Sequence, residues 1–417
     1  MTIQDMGHQA QSASRILAVS SGAARDAALS AMAEALAANE AAIMEANALD
    51  MEAARQNGMT QSLQDRLRLT PARIAGMRQG ILELLSAPDP LGIILGGGVR
   101  PNGLRIQQVS VPLGVVGMIC EARPNVTADA AALCLKSGNA IILRGGKEAI
   151  NSNKAIANAL RGAIESAGLP ASCFQLVEDT SRESANALMR ANGLIDVLIP
   201  RGGAGLIRAV VENSNVPVIE TGEGVCHTYV DKAADIPMAL EIAENAKCSR
   251  PSVCNAMETL LVHEDVAALL LPQLAERLAK YPVEFRCDEA SLALCASEFC
   301  KPASEDDWET EHGDLILNVK IVASMEEALA HIARYGTKHS ECVVTNDYGT
   351  AQAFLQAVDA AAVYVNASTR FTDGGEFGLG AEIGIAARQK LHARGPLGLR
   401  HLTSYKYMIY GNGQVRL

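Results

Sequence analysis

Val115-Val-Gly-Met-Ile-Cys120, then Ala128-Asp-Ala-Ala-Ala-Leu-Cys-Leu-Lys-Ser-Gly138, then Ala140-Ile-Ile-Leu-Arg-Gly-Gly-Lys147 decide the fold. The first and last are short apolar runs without polar alternation, as strands buried on both faces require. The middle stretch is rich in Ala and Leu and ends in a glycine placed as a helix C-cap. Strand, helix and strand in that order make a βαβ unit and a parallel sheet. The rhythm continues through Phe174–Val177, Ile195–Ile199 and Val216–Ile219, five strands in all. Ala167-Gly168-Leu169-Pro170 ends one intervening helix, and Thr180 with Glu183 reads as a capping box opening another.

Upstream, residues 1 to 87 are rich in Ala, Leu, Met, Glu and Arg and predict several helices. Thr70-Pro71 is an N-cap followed by proline at the first helical position. A Gly/Pro-rich stretch from Pro88 to Gly103 breaks that pattern. Downstream of Gly224 the alternation loosens. Strand-like runs recur at Thr259–Val262, Ile316–Val322, Cys342–Thr345 and Ala362–Val365, and Ser324 with Glu327 forms another capping box. These predict a second α/β domain. Leu399 to Leu417 alternates apolar and polar residues and predicts an exposed strand or hairpin.

The 417 residues suffice for two or three domains, with 49% hydrophobic and 20% charged, an ordinary globular balance. Aromatics are only 4%, so aliphatic side chains and alanine must build the core. A net charge of −11 repels nucleic acid and acidic membranes, and neither is an expected partner. No apolar run is long enough to span a bilayer, and Met1 to Gln11 lacks a signal pattern. The ten cysteines have no CxxC pairs, which predicts reduced thiols, a cytoplasmic location and no metal site.

Arg144-Gly145-Gly146-Lys147 lies between a strand and a helix, and Arg201-Gly202-Gly203-Ala-Gly205 repeats the arrangement one unit later. Glycines there admit close approach of backbone N–H groups to a phosphate, and the helix N-terminus favours its charge. Any βα turn also uses glycine for backbone freedom. Neither turn carries the full GxGxxG fingerprint. Glu220-Thr-Gly222 adds a carboxylate to the same sheet edge. Cys254 sits in a polar, basic loop with Arg250 and Pro251, surroundings that favour a thiolate nucleophile. Cys248 shares that loop, and local sequence does not choose between them. Cys226 and His227 are adjacent in a strand and point to opposite faces, so a structural hydrogen bond for His227 is expected rather than a dyad. Val365-Asn366-Ala-Ser368-Thr-Arg370 puts polar side chains after a strand, and an arginine there suits a carboxylate.

Six segments together carry a resemblance: Glu121-Ala-Arg-Pro-Asn-Val-Thr127, Lys136 to Lys147, Arg250-Pro-Ser-Val-Cys-Asn-Ala256, Val365 to Arg370, Ala381-Glu-Ile-Gly384 and His392-Ala-Arg-Gly-Pro396. Over nearly its whole length the chain resembles the γ-glutamyl phosphate reductase family of the aldehyde dehydrogenase superfamily. The resemblance implies an NADPH-binding domain over 1–97 and 112–222, a catalytic domain over 223–395, and a small β oligomerisation flap over 98–111 and 396–417. It implies Cys254 as nucleophile and Asn125 as the oxyanion-hole amide. The cofactor is expected on Arg144, Gly145, Gly146, Lys147, Arg201, Gly202, Gly203, Glu220 and Gly222. NAD-using relatives carry a carboxylate near the Lys147 position, and a cation there favours the 2′-phosphate of NADPH. Arg123, Arg250, Asn366, Ser368 and Arg370 are expected to bind L-glutamyl 5-phosphate. Glu220 matches the superfamily's water-activating glutamate, a role this reaction must avoid. A homo-oligomer and a transient contact with glutamate 5-kinase are implied as well. Two other readings stay open at this stage: a hydrolytic aldehyde dehydrogenase, and a non-catalytic dinucleotide-binding protein.

Overall fold

A computed structural model describes residues 1–295 and 299–416. Contacts divide the chain into two units. One comprises Met1–Glu220, Gly378–Gly384 and Leu397–Leu417; the other comprises Thr221–Phe377 and Ile385–Pro396.

The first unit opens with five helices: α1 (Ile3–Leu17), α2 (Gly22–Ala38), α3 (Glu40–Gln56), α4 (Gln61–Leu67) and α5 (Pro71–Ser86). Thr2, Ser21, Thr60 and Thr70 each accept a backbone N–H three residues on, satisfying donors that the helix itself leaves bare. Pro71 occupies the first helical position of α5, as its sequence predicts. Next come β1 (Ile94–Val99) and β2 (Arg105–Pro112), an antiparallel pair. The Gly/Pro-rich stretch therefore ends the helices but also contains a strand. A Cβ at Gly97 would lie 2.2 Å from the Ile106 carbonyl oxygen, so β1 needs glycine there. On its other side β2 pairs antiparallel with the single C-terminal strand Thr403–Tyr410.

The parallel sheet follows: β3 (Val115–Cys120), α6 (Asn125–Lys136), β4 (Ala140–Arg144), α7 (Ile150–Ser166), β5 (Phe174–Leu176), α8 (Arg182–Met189), β6 (Val197–Arg201) and α9 (Ala204–Asn213). The strand order is β5-β4-β3-β6. All six residues of β3 are buried, which explains its unbroken apolar run. From β3 the chain steps outward to β4 and β5, then returns to β6 on the far side. The topological switch point lies between β3 and β6.

Three local expectations shift. The run at Ile195–Ile199 becomes a strand only from Val197. The run at Val216–Ile219 makes one bridge, Leu198 to Val218, and no strand. Pro217 accepts from the Leu198 N–H but has no N–H to extend the ladder. The cap of α8 is Ser181, whose Oγ accepts from the Ser184 N–H, not Thr180.

The second unit holds β7 (Cys226–Val230), α10 (Ile236–Cys248), β8 (Met257–His263), α11 (Glu264–Leu278), β9 (Glu284–Cys287), α12 (Glu289–Leu294), β10 (Cys300–Pro302), β11 (Ile316–Val322), α13 (Met325–Tyr335), β12 (Ser340–Val344), α14 (Tyr348–Ala357) and β13 (Ala362–Val365). The strands form one parallel sheet in the order β10-β9-β11-β8-β7-β12-β13. Leu260, Leu270, Leu271, Leu274 and Leu317 pack the core on one of its faces. Strand β7 has no apolar run to announce it, yet all five of its residues are buried. Two of its polar side chains find partners inside the protein: Nδ1 of His227 meets Glu341 at 3.0 Å, and the Tyr229 hydroxyl donates to Asp231 at 3.1 Å. The Ser324 cap forms, and the Glu327 carboxylate accepts from the Ala323 N–H one residue before the cap. Among the described residues no helix is long and apolar enough to cross a membrane.

Candidate active site

Cys254 lies in the turn between α10 and β8 and is half-buried. Three neighbours fix this turn. Gly224 presses against it so closely that a Cβ there would sit 1.5 Å from the Cys254 carbonyl oxygen. The Cys226 thiol donates to that same oxygen at 3.2 Å. Asn255 ties the turn to residues 369–372: its Nδ2 donates to the carbonyls of Arg370 (3.1 Å) and Thr372 (3.0 Å), and its own carbonyl accepts from the Thr369 hydroxyl (2.8 Å).

Two cations share this surface. Nη1 of Arg370 donates to Oδ1 of Asn255, and its Nε donates to Ser249 Oγ at 3.1 Å. Burial lowers the Arg370 pKa, and the nearby Arg250 charge lowers it further, while Cys254 acts the other way. Arg370 thus lies within electrostatic reach of both Arg250 and Cys254. Cys248, at the end of α10, is pushed up to about 11 by burial and by Glu244, the wrong direction for a nucleophile. Burial likewise lifts Cys120, Cys173 and Cys342 to about 12.

In the first unit, the turn after β4 brings Arg144, Gly145, Gly146 and Lys147 together. Gly145 is packed so tightly that a Cβ would lie 2.2 Å from Asn153 Nδ2. Lys147 is exposed at the start of a 3₁₀ turn, 147–149, that leads into α7. Arg144 faces elsewhere: its Nη2 donates to the carbonyls of Thr180 (2.6 Å) and Ser181 (3.1 Å).

The helix N-termini differ from the sequence expectation. Each already holds a carboxylate of the protein's own. Asp50 accepts from the N–H groups of Asn151 and Ser152 at the start of α7. Glu121 accepts from the Gly203 N–H at 2.9 Å at the start of α9. Gly202 is a glycine for the same reason, since a Cβ would lie 2.5 Å from the Glu121 carboxylate carbon. Arg201 packs its guanidinium against Gly384. In this structure the Gly202-Gly203 turn therefore serves an internal acid, and the exposed cation of the pair of turns is Lys147.

The other predicted residues are placed as follows. Asn125 begins α6, exposed, its Nδ2 donating to Asp129 at 3.2 Å. Arg123 lies in the bend just before α6, and Glu220 ends the main stretch of the first unit. Gly222 belongs to the second unit, where its N–H donates to Ile385 O at 2.9 Å. Asn366 and Ser368 carry bonds within the chain. Asn366, at φ +56°, exchanges two bonds with the Thr345 backbone, each 2.9 Å, which uses both ends of its amide. Ser368 is buried and caps the short turn 369–371. Of the expected substrate residues, Arg370 lies within electrostatic reach of Arg250 and Cys254, Asn366 and Ser368 are engaged as described, and Arg123 belongs to the first unit. Gly224, Asn255, Glu121 and Asn153 escaped the sequence reading. The only signals available were the glycine before Val225 and the asparagine after the cysteine.

A family model described as the aldehyde dehydrogenase family matches residues 1–293. γ-Glutamyl phosphate reductase of Moorella thermoacetica is 56% identical over 416 residues, covering 100% of this chain and 99% of the relative. That of Heliobacterium modesticaldum is 58% identical over 410 residues, covering 98% of each. The chain belongs to the γ-glutamyl phosphate reductase family. The crystal structure of γ-glutamyl phosphate reductase from Thermotoga maritima has the same fold, with a TM-score of 0.95 at 45% identity over 100% of both chains. The chain is accordingly an oxidoreductase of the aldehyde dehydrogenase fold, and that family uses a nicotinamide cofactor. The first unit fits such a group: the parallel sheet has its switch point at β3 and β6, and an exposed cation, Lys147, stands beyond the carboxyl end of neighbouring β4.

Proposed function

We propose that the chain reduces L-glutamyl 5-phosphate to L-glutamate 5-semialdehyde with NADPH, releasing phosphate, as a step in proline biosynthesis. The observation that carries the reading is the Cys254 turn: a thiol outside the buried core, held by Gly224 and Asn255, with the Arg370 guanidinium in electrostatic reach and Arg250 near Arg370. A thiolate gains from those cations, and so does an anionic substrate.

The Cys254 thiolate attacks the γ-carbonyl. The Cys254 N–H and, on the family resemblance, the Asn125 amide hold the oxyanion. Collapse expels phosphate, which Arg250 steadies, and leaves a thioester on Cys254. The nicotinamide, when bound, supplies the hydride that reduces this thioester. The resulting thiohemiacetal releases the aldehyde and restores the thiolate. Arg370 still has N–H donors beyond those used on Asn255 and Ser249, and it holds the substrate's far carboxylate while bracing the turn. Lys147 meets the 2′-phosphate and sets the preference for NADPH. Glu220 is not a hydrolytic base, because hydrolysis would waste the thioester. The domain assignment is that of the resemblance: cofactor domain, catalytic domain and flap, with the flap joining two copies of the chain.

The thioester can be seen directly. Incubation with semialdehyde and NADP⁺ in the absence of phosphate should add a glutamyl group to the peptide carrying Cys254, and phosphate should then discharge it. A glutamyl group on Cys248, or none on any cysteine, contradicts the reading.

A further inference from the structure

By spacing alone the ten cysteines suggest no metal site. The fold gathers three of them far from the Cys254 turn in sequence. Cys287 ends β9, Cys295 follows α12, and Cys300 begins β10. Strands β9 and β10 are parallel neighbours, with Cys300 opposite Phe285 and Pro302 opposite Cys287. Helix α12 lies in the connection between them. The three Sγ atoms all lie within 4.8 Å of one another. Each thiol of the trio is hydrogen-bonded to the other two. Cys287 and Cys295 are 1% and 3% exposed, whereas Cys300 is half-buried, so the triangle has two sealed corners and one that reaches water.

Buried cysteines ordinarily serve as small hydrophobes, each packed on carbon. Here three converge in an apolar cluster that includes Leu271, Leu274, Leu278, Val283 and Phe285. A tetrahedral zinc with Zn–S bonds of about 2.3 Å holds its sulfurs ~3.8 Å apart. The observed triangle reaches that spacing with a contraction of at most about one ångström. A disulfide needs two sulfurs at about 2.05 Å and leaves the third out. The donor set is entirely sulfur, which selects a thiophilic d¹⁰ cation over magnesium or calcium.

We propose that Cys287, Cys295 and Cys300 form a zinc site of three thiolates and one solvent ligand, pinning the edge strand β10 to β9 and α12. Each thiol releases its proton as its Zn–S bond forms, and no oxidation state changes. The site plays no part in the chemistry at Cys254.

The test uses the full chain, reduced and stripped of metal, titrated anaerobically with Co²⁺ and then Zn²⁺. Thiolate-to-cobalt charge-transfer absorption should saturate at one equivalent and be bleached by zinc, in the wild type and in Cys254→Ser alike. Cys300→Ser, at the half-exposed corner, should lose the band or bind at least tenfold more weakly. Zinc should also shield all three cysteines of the wild type from iodoacetamide, mapped by peptide mass spectrometry, which needs no variant to fold. No saturable band, a band lost in Cys254→Ser but kept in Cys300→Ser, a Cys287–Cys295 disulfide in the reduced protein, or unshielded thiols would each overturn the proposal.

Discussion

Gly224 and Asn255 show how little freedom the nucleophile has. A methyl group at position 224 would collide with the Cys254 carbonyl, which is backbone and cannot swing aside. Gly224→Ala should therefore displace the turn and lower kcat by about a hundredfold, the cost of misplacing a reacting group by about an ångström. The far-ultraviolet circular dichroism should be unchanged. Wild-type kcat in a folded Gly224→Ala protein would show that Cys254 is not the reacting group. For the cofactor, Lys147→Glu should weaken NADPH binding by several-fold to a hundredfold, since a charge-assisted bond is worth roughly 1.5–3 kcal/mol. NADH binding should change little, and equal losses for both cofactors would remove Lys147 from the 2′-phosphate. Arg370→Lys keeps the charge but loses the fork that bonds Asn255 and Ser249. It should raise KM for the semialdehyde and also lower kcat, because the turn loosens. An effect on KM for phosphate alone would refute that double role. In the sequence, Cys254, Arg250 and Arg370 were legible as types of residue in polar loops. Their assembly was not, because Asn255 reaches across more than a hundred positions of the chain to residues 370 and 372.

Strands were legible where burial wrote itself as an unbroken apolar run, as in β3 and in Ala140–Leu143 of β4. Strand β7 was illegible because polar groups are buried there, His227 against Glu341. The fully buried pair Lys247 and Glu258, 2.7 Å apart, joins the end of α10 to the start of β8, whose predicted run begins only at Thr259. Val216–Ile219 looked like a strand because apolar content says nothing of Pro217's missing donor. The helix N-termini were legible as anion sites. That Asp50 and Glu121 fill them was not, since both acids come from distant segments. Helix α6 yields a prediction of its own. Burial pushes the Asp129 carboxyl up to about 6 from an ordinary 3.8, with the Asn125 hydrogen bond and the Arg201 charge opposing. The native state then holds a proton that the unfolded chain has lost, so this group's contribution makes stability fall as pH rises from about 4 to 6. Asp129→Asn should remove that slope from denaturant midpoints measured across the range. An unchanged slope would mean that Asp129 titrates normally.

At the scale of the whole molecule, the sheet formed by β1, β2 and the C-terminal strand leaves Ile94, Leu95, Val99, Tyr407 and Ile409 exposed. Exposed apolar side chains on a strand edge suit pairing with another copy. Ile409→Lys with Tyr407→Lys should shift the sedimentation coefficient toward that of the monomer, and an unchanged value would show that this sheet joins no second copy. The proposed reaction turns on an acyl group passing between phosphate and Cys254. Its most direct measurement is NADP⁺ reduction with glutamate 5-semialdehyde, with and without inorganic phosphate, in the wild type and in Cys254→Ala. NADPH formation should be sustained and saturate with phosphate, stop at a single turnover or less without it, and be absent in Cys254→Ala. Sustained NADPH formation without phosphate, with free glutamate as product, would show a hydrolytic reaction instead.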